Sequence, residues 1–137
     1  MPQSTAEVVP SVDAGPIAVF DLTVLDTPDP RGLANFYCAL LGWRITDDVE
    51  DWVTIRGDVT GMAFQLAPDL VPPTWPDNTV PQQYHLDFTV PDLDAAEARA
   101  LAIGARVTGR PTGEAADRFR VYRDPTGHPF CLCLAAG

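Results

Sequence analysis

The stretch Asp124-Pro-Thr-Gly-His-Pro-Phe-Cys-Leu132 has an earlier counterpart in the chain, Asp58-Val-Thr-Gly-Met-Ala-Phe-Gln-Leu66. Asp, Thr, Gly, Phe and Leu occupy the same places in both. Asp and Gly suit a tight turn, and Phe and Leu two positions apart share one face of a strand. The same offset relates Val19-Phe-Asp-Leu-Thr-Val-Leu-Asp26 to His85-Leu-Asp-Phe-Thr-Val-Pro-Asp92. A repeat present at two places with one spacing predicts two copies of one supersecondary unit.

Each copy reads as βαβββ. Ile17 to Leu25 alternates in period two and predicts a strand. Asp29 then offers an N-cap with Pro30 at the first helical position, and Leu33, Phe36, Tyr37, Leu40 and Leu41 form an apolar helix stripe that Gly42 closes. Trp43 to Thr46, Trp52 to Arg56 and Met62 to Ala67 predict three short strands. In the second copy Tyr84 to Val90 predicts the strand, and Asp92 caps a helix running through Ile103 to Gly104. Short strands are expected near Arg106, at Arg118 to Arg123 and at Pro129 to Leu134. Gly42 and Gly104 stand closer together than the shared offset requires, which predicts four extra residues before the first helix, about Thr27 to Pro30.

These spans divide the chain into a polar tail over 1–16, a first module over about 17–67, a Pro-rich connector over 68–83 and a second module over about 84–134. A chain of 137 residues is one domain's length, so the modules are expected to share a core within 17–137. The tail lacks the basic and apolar segments of a secretory signal. Net charge is −10, and all nine basic residues are Arg, in a composition biased to Ala and Pro as in a GC-rich bacterial genome. That field disfavours nucleic acid and anionic membranes as partners. Three cysteines, Cys38, Cys131 and Cys133, carry no disulfide pattern and point to a cytoplasmic compartment.

Parity places Phe20, Leu22, Val24, Leu86, Phe88 and Val90 toward the helices, with Phe64, Leu66, Phe130, Leu132 and Leu134. It places Asp21, Thr23, Gln65, His85, Asp87, Thr89, Cys131 and Cys133 on the opposite face. The expected fold is therefore α+β: two βαβββ modules forming a curved mixed sheet, a cup, with helices on its convex side and a cavity on its concave side. Trp43, Trp52, Trp75, Tyr84, Phe119 and Tyr122 lie on strands or the connector, where they could wall that cavity.

Paired βαβββ units, a His opening the second unit and Asp-Pro-x-Gly-x-x-Phe before the last strand resemble the vicinal oxygen chelate superfamily of glyoxalases, bleomycin-resistance proteins and extradiol dioxygenases. Within it the chain is most similar to bacterial glyoxalase-like domain proteins, through Val24-Leu-Asp-Thr-Pro-Asp-Pro30, Pro72-Pro-Thr-Trp-Pro76, Pro81-Gln-Gln-Tyr-His-Leu-Asp87 and Gly127-His-Pro-Phe-Cys-Leu-Cys133. The resemblance implies metal ligands on the first and last strands of both modules, at Val19, Gln65, His85 and Cys131. Val19 cannot ligate, and Cys131 stands where a carboxylate is expected. The reading is therefore a small-molecule binder with no metal or other cofactor; its alternative is one divalent metal at His85 with Gln65. Asp21, or His85 with Cys131 and Cys133, are two further routes to an ion.

Two other functions are carried beside the binder. One is a lyase or isomerase with His85, Asp21 and Asp87 as acid and base and Gln65 orienting an oxygen. The other is an accessory domain whose pocket is filled by side chains. His128, in the final turn, is read as structural. The resemblance also implies a homodimer.

Overall fold

The computed structural model describes residues 15–135. The tail expected over 1–16 lies almost wholly outside the described residues. The first module contains β1 (Leu22–Thr27), α1 (Pro30–Leu41), β2 (Arg44–Val49), β3 (Trp52–Arg56) and β4 (Gly61–Leu66). The second contains β5 (Leu86–Val90), α2 (Leu93–Ala102), β6 (Arg106–Gly109), a short 3-10 helix at Gly113–Asp117, β7 (Phe119–Arg123) and β8 (Pro129–Leu134). The order βαβββ occurs twice.

Both helices start where the sequence places their caps. The Asp29 carboxylate accepts from Gly32 N at 3.0 Å ahead of Pro30, and Asp92 accepts from Ala95 N at 3.1 Å, so each satisfies an orphan donor of the first turn. Gly42 ends α1 in the left-handed region at φ 71°. Each module makes a four-stranded mixed sheet, in the orders β1-β4-β3-β2 and β5-β8-β7-β6. The outer pair β1–β4, like β5–β8, is parallel, and the other pairs are antiparallel.

The core belongs to both modules. Phe36 and Tyr37 of α1 are buried, and Tyr37 stacks on Phe64 of its own module at 5.7 Å between ring centroids. The same ring meets Phe88 at 6.1 Å, while Phe36 meets Phe130 at 6.0 Å, both in the second module. Each fully buried aromatic contributes roughly 1.5–3 kcal/mol of burial, beyond which ring pairs add about 0.5–1.5 kcal/mol.

The first strand departs from expectation. Ile17, Val19 and Phe20 lie outside the sheet, with Phe20 73% exposed. The cause is the ladder: Leu22 pairs with Gly61, the first residue of β4, and upstream of Gly61 the chain is in the β3–β4 turn with no strand to receive residues 17–21. Leu25 and Thr27, not Phe20, Leu22 and Val24, enter the core beside α1.

Strand pairing explains the reversal. Leu25 pairs with Phe64, and Leu86 pairs with Phe130. Phe64 and Phe130 are true counterparts in the repeat, so the partner of Leu86 in the first module is Leu25. The first pair lies an odd number of positions apart and the second an even number, and an odd change of register inverts a strand's faces. The upstream match of Val19–Asp26 to His85–Asp92 is therefore not a structural equivalence, and the position equivalent to His85 is Val24 rather than Val19. The length difference also moves. The caps Asp29 and Asp92, like the closing Gly42 and Gly104, are already spaced more closely than Phe64 and Phe130. The extra residues therefore lie after the helix of the second module, in the stretch holding the 3-10 helix, and not at Thr27 to Pro30.

Candidate functional site

The turn that reveals the repeat also joins the modules. Asp124 is fully buried; its Oδ1 accepts from the backbone N–H groups of Thr126, Gly127 and His128 at 2.9–3.0 Å, and its Oδ2 accepts from Tyr37 OH at 2.7 Å. Burial, followed by the nearby Asp124 charge, raises the Tyr37 pKa and keeps this phenol a donor. Thr126 and Thr27 hydroxyls meet at 2.7 Å, and His128 Nε2–H donates to Asp26 O at 2.7 Å. His128 is thereby a structural clasp between modules.

A cleft of about 280 Å³ lies beside this clasp. β1 supplies Val24, Leu25 and Asp26, the start of β5 supplies Tyr84, His85 and Leu86, and His128 and Pro129 close one end. The connector covers it with Leu70, Val71, Pro73, Val80 and Pro81. Its proline content, which bars it from a sheet, leaves it free to fold over the junction. Arg123 Nη1 holds it there, donating to Pro73 O and to Gly127 O at 2.8 and 2.9 Å, while Thr74 N, donating to Val80 O at 2.7 Å, closes a loop within the connector. Gly127 is required beneath it, since a Cβ at that φ of +111° would stand 2.8 Å from Pro72 Cβ.

A second grouping sits at the rim. His85 Nε2 is 3.1 Å from Asp87 Oδ1, and Cys131, paired with Asp87 across the parallel ladder, brings its thiol to the same place. One donor atom from each of His85, Asp87 and Cys131 lies within 4.8 Å of the others. His85 and Asp87 are exposed while Cys131 is buried. Burial, followed by the Asp87 charge, pushes the Cys131 thiol up to about 12, so it is protonated near neutral pH. The Cys133 thiol is also raised, chiefly by burial, and it falls outside the three-residue set.

The other expected site residues are dispersed. Asp21 is exposed and accepts from Arg56 Nη2 at 2.7 Å, so it is no partner of His85. Gln65 is exposed on the face opposite α1, where it pairs with Trp52, whose Nε1–H donates to Thr54 at 2.8 Å. Trp43 packs on the core against Gly57, and Trp75 lies over Gly109 of β6. Phe119 pairs with Cys133 on the second module's open face. Tyr122 is fully buried, stacks on Phe130 at 5.5 Å and donates to Glu97 at 2.7 Å, so it is a core residue. Of the expected aromatic wall, only Tyr84 borders the cleft.

The cleft residues Val24, Asp26 and His128 and the connector's apolar residues were not expected there. For Val24 and Asp26 the available signal was the spacing of the helix caps, shorter than that of the final strands, since it marks a register change between the copies.

The profile of the glyoxalase-like domain matches residues 22–133, which takes in both helices and all but the end of the last strand. The chain belongs to the glyoxalase-like domain family. This glyoxalase-like chain is similar in fold to a glyoxalase/bleomycin resistance protein/dioxygenase family enzyme from Burkholderia phytofirmans PsJN. The TM-score is 0.65 at 16% identity, over 85% of this chain and 98% of that one. It is also similar to a fosfomycin resistance protein from Listeria monocytogenes, with TM-score 0.67 and 15% identity over 88% and 95% of the two chains. A lactoylglutathione lyase from Agrobacterium tumefaciens gives 0.60 and 18% over 88% and 96%. No curated protein matches the chain. The family match, together with these shared folds, agrees with the vicinal oxygen chelate superfamily. Among the described residues no helix is long and apolar enough to cross a membrane.

The superfamily's metal set draws on both modules. By strand pairing its positions here are Val24, Gln65, His85 and Cys131. Val24 has no donor atom and Gln65 offers only a neutral amide, so a two-module set does not fit these residues.

Proposed function

We propose that this glyoxalase-like protein captures a compact organic molecule in the cleft between β1, the connector and the start of β5. The cleft itself carries the reading: an open cavity of about 280 Å³ at the junction of the modules, walled mostly by apolar side chains, with Asp26, Gln83, Tyr84, His85 and His128 bringing its polar groups. Ligand pockets usually begin at ~300 Å³ and combine apolar walls with a few orienting groups, so the volume favours a small ligand. The lining contains no Arg, and the chain's net charge is −10. A neutral or cationic molecule therefore suits it better than an anion.

An accessory domain with a side-chain-filled pocket would not leave this opening. Among the neighbours one is described as a lyase and one as a resistance protein, and binding is the part of that range which the cleft supports. A thermal-shift screen of compact neutral and cationic compounds tests it. A compound present at ~100 times its Kd is expected to stabilise the chain by about 2.7 kcal/mol, and Val24→Trp, which fills the cleft, is expected to abolish that shift. A screen without hits, or hits indifferent to Val24→Trp, would overturn the reading.

A further inference from the structure

A donor set for a metal ion is assembled inside the second module alone. His85 and Asp87 are two residues apart, so their side chains leave the strand on one face, and the β5–β8 register sets Cys131 directly beside Asp87. Around a tetrahedral ion with bonds of ~2.0–2.3 Å, donors stand roughly 3.3–3.7 Å apart. His85 Nε2 and Asp87 Oδ1 are already 3.1 Å apart, and the Cys131 donor lies within 4.8 Å of both, inside the reach of small side-chain rotations.

We propose that His85, Asp87 and Cys131 bind one thiophilic divalent cation, with zinc as the probe, in a site built within the second module and open to solvent at its fourth position. The donor types select the ion. A thiol and an imidazole suit zinc or cobalt and do not suit magnesium or calcium, which take oxygen donors. The fourth position is open because the His85 and Asp87 side chains are 39% and 61% exposed. Neither Gln65 nor any other residue of the first module is needed.

Binding converts the Cys131 thiol to a thiolate: the Sγ–H bond breaks, an Sγ–metal bond forms, and one proton per ion leaves to solvent. No electron is transferred.

The test uses the full chain, stripped by chelation and titrated with cobalt(II) and then zinc(II). One ion per chain is expected to survive gel filtration. The cobalt form should show tetrahedral ligand-field bands and a near-ultraviolet thiolate charge-transfer band. That band is expected to vanish in Cys131→Ser and to persist in Cys133→Ser and Gln65→Ala. Retention of no ion, a charge-transfer band surviving Cys131→Ser, or its loss in Gln65→Ala would overturn the site. X-ray absorption on the zinc-loaded wild-type chain needs no variant. A single sulfur at ~2.3 Å supports the proposal, and a shell without sulfur overturns it. Metal occupancy is read here independently of organic-ligand binding in the cleft.

Discussion

Asp124 accepts three backbone N–H groups on one oxygen and the Tyr37 hydroxyl on the other, with no exposure to solvent. A buried carboxylate is tolerated only when its acceptor sites are filled, and here the fourth donor comes from the other module. Tyr37→Phe removes that donor and leaves Oδ2 short of a partner. The expected loss is about 1–3 kcal/mol in urea denaturation, and a change too small to measure would show that water replaces the phenol. His85 illustrates a different constraint. The sequence already set His85, Asp87 and Cys131 on one face as candidates, but not which of them touch. Their convergence depends on which residue of β8 pairs with Asp87.

At the scale of elements, β1 shows how little a strand's own pattern says about its register. Residues 17–25 alternate, yet the sheet takes Leu22–Thr27, and the side chains buried are Leu25 and Thr27. The helices were readable because their signals are local, an Asp cap, a proline at the first position and a closing glycine. α2 is anchored differently from α1. It buries only Leu93 and Ala100, and is tied to the second sheet by Glu97, which accepts from Arg110 at 2.8 Å, Tyr122 at 2.7 Å and Arg120 at 3.3 Å. These donors, the Arg110 hydrogen bond first, hold Glu97 down at about 2, below its ordinary value of 4.5. A depressed carboxylate contributes stability above its unfolded pKa and loses it as pH falls toward the folded value. The melting temperature of the wild-type chain should therefore fall more steeply between about pH 5 and 2 than that of Glu97→Gln. Parallel curves for the two proteins would contradict the anchor.

For the whole molecule, the aromatic cluster and the Asp124 clasp make two similar modules thermodynamically one. Phe36 and Tyr37 place first-module rings against Phe88 and Phe130, so neither half can close its core alone. Unfolding is expected to be a single transition, with tryptophan fluorescence and far-ultraviolet circular dichroism coincident in urea. Separate transitions would mean that the modules are independently stable. The connector completes this coupling, since it spans from β4 to β5 while roofing the cleft and lying on β6 through Trp75.

The duplicated βαβββ plan, the helix boundaries and the turn at Asp124 could be read from residue order, because caps, turn residues and apolar spacing act over a few neighbouring positions. The strand faces at β1, the cleft beneath the connector, and the placing of Cys131 directly beside Asp87 could not. Each depends on hydrogen-bond register between segments distant in the chain, and in a sheet an odd shift of that register exchanges the buried face for the open one.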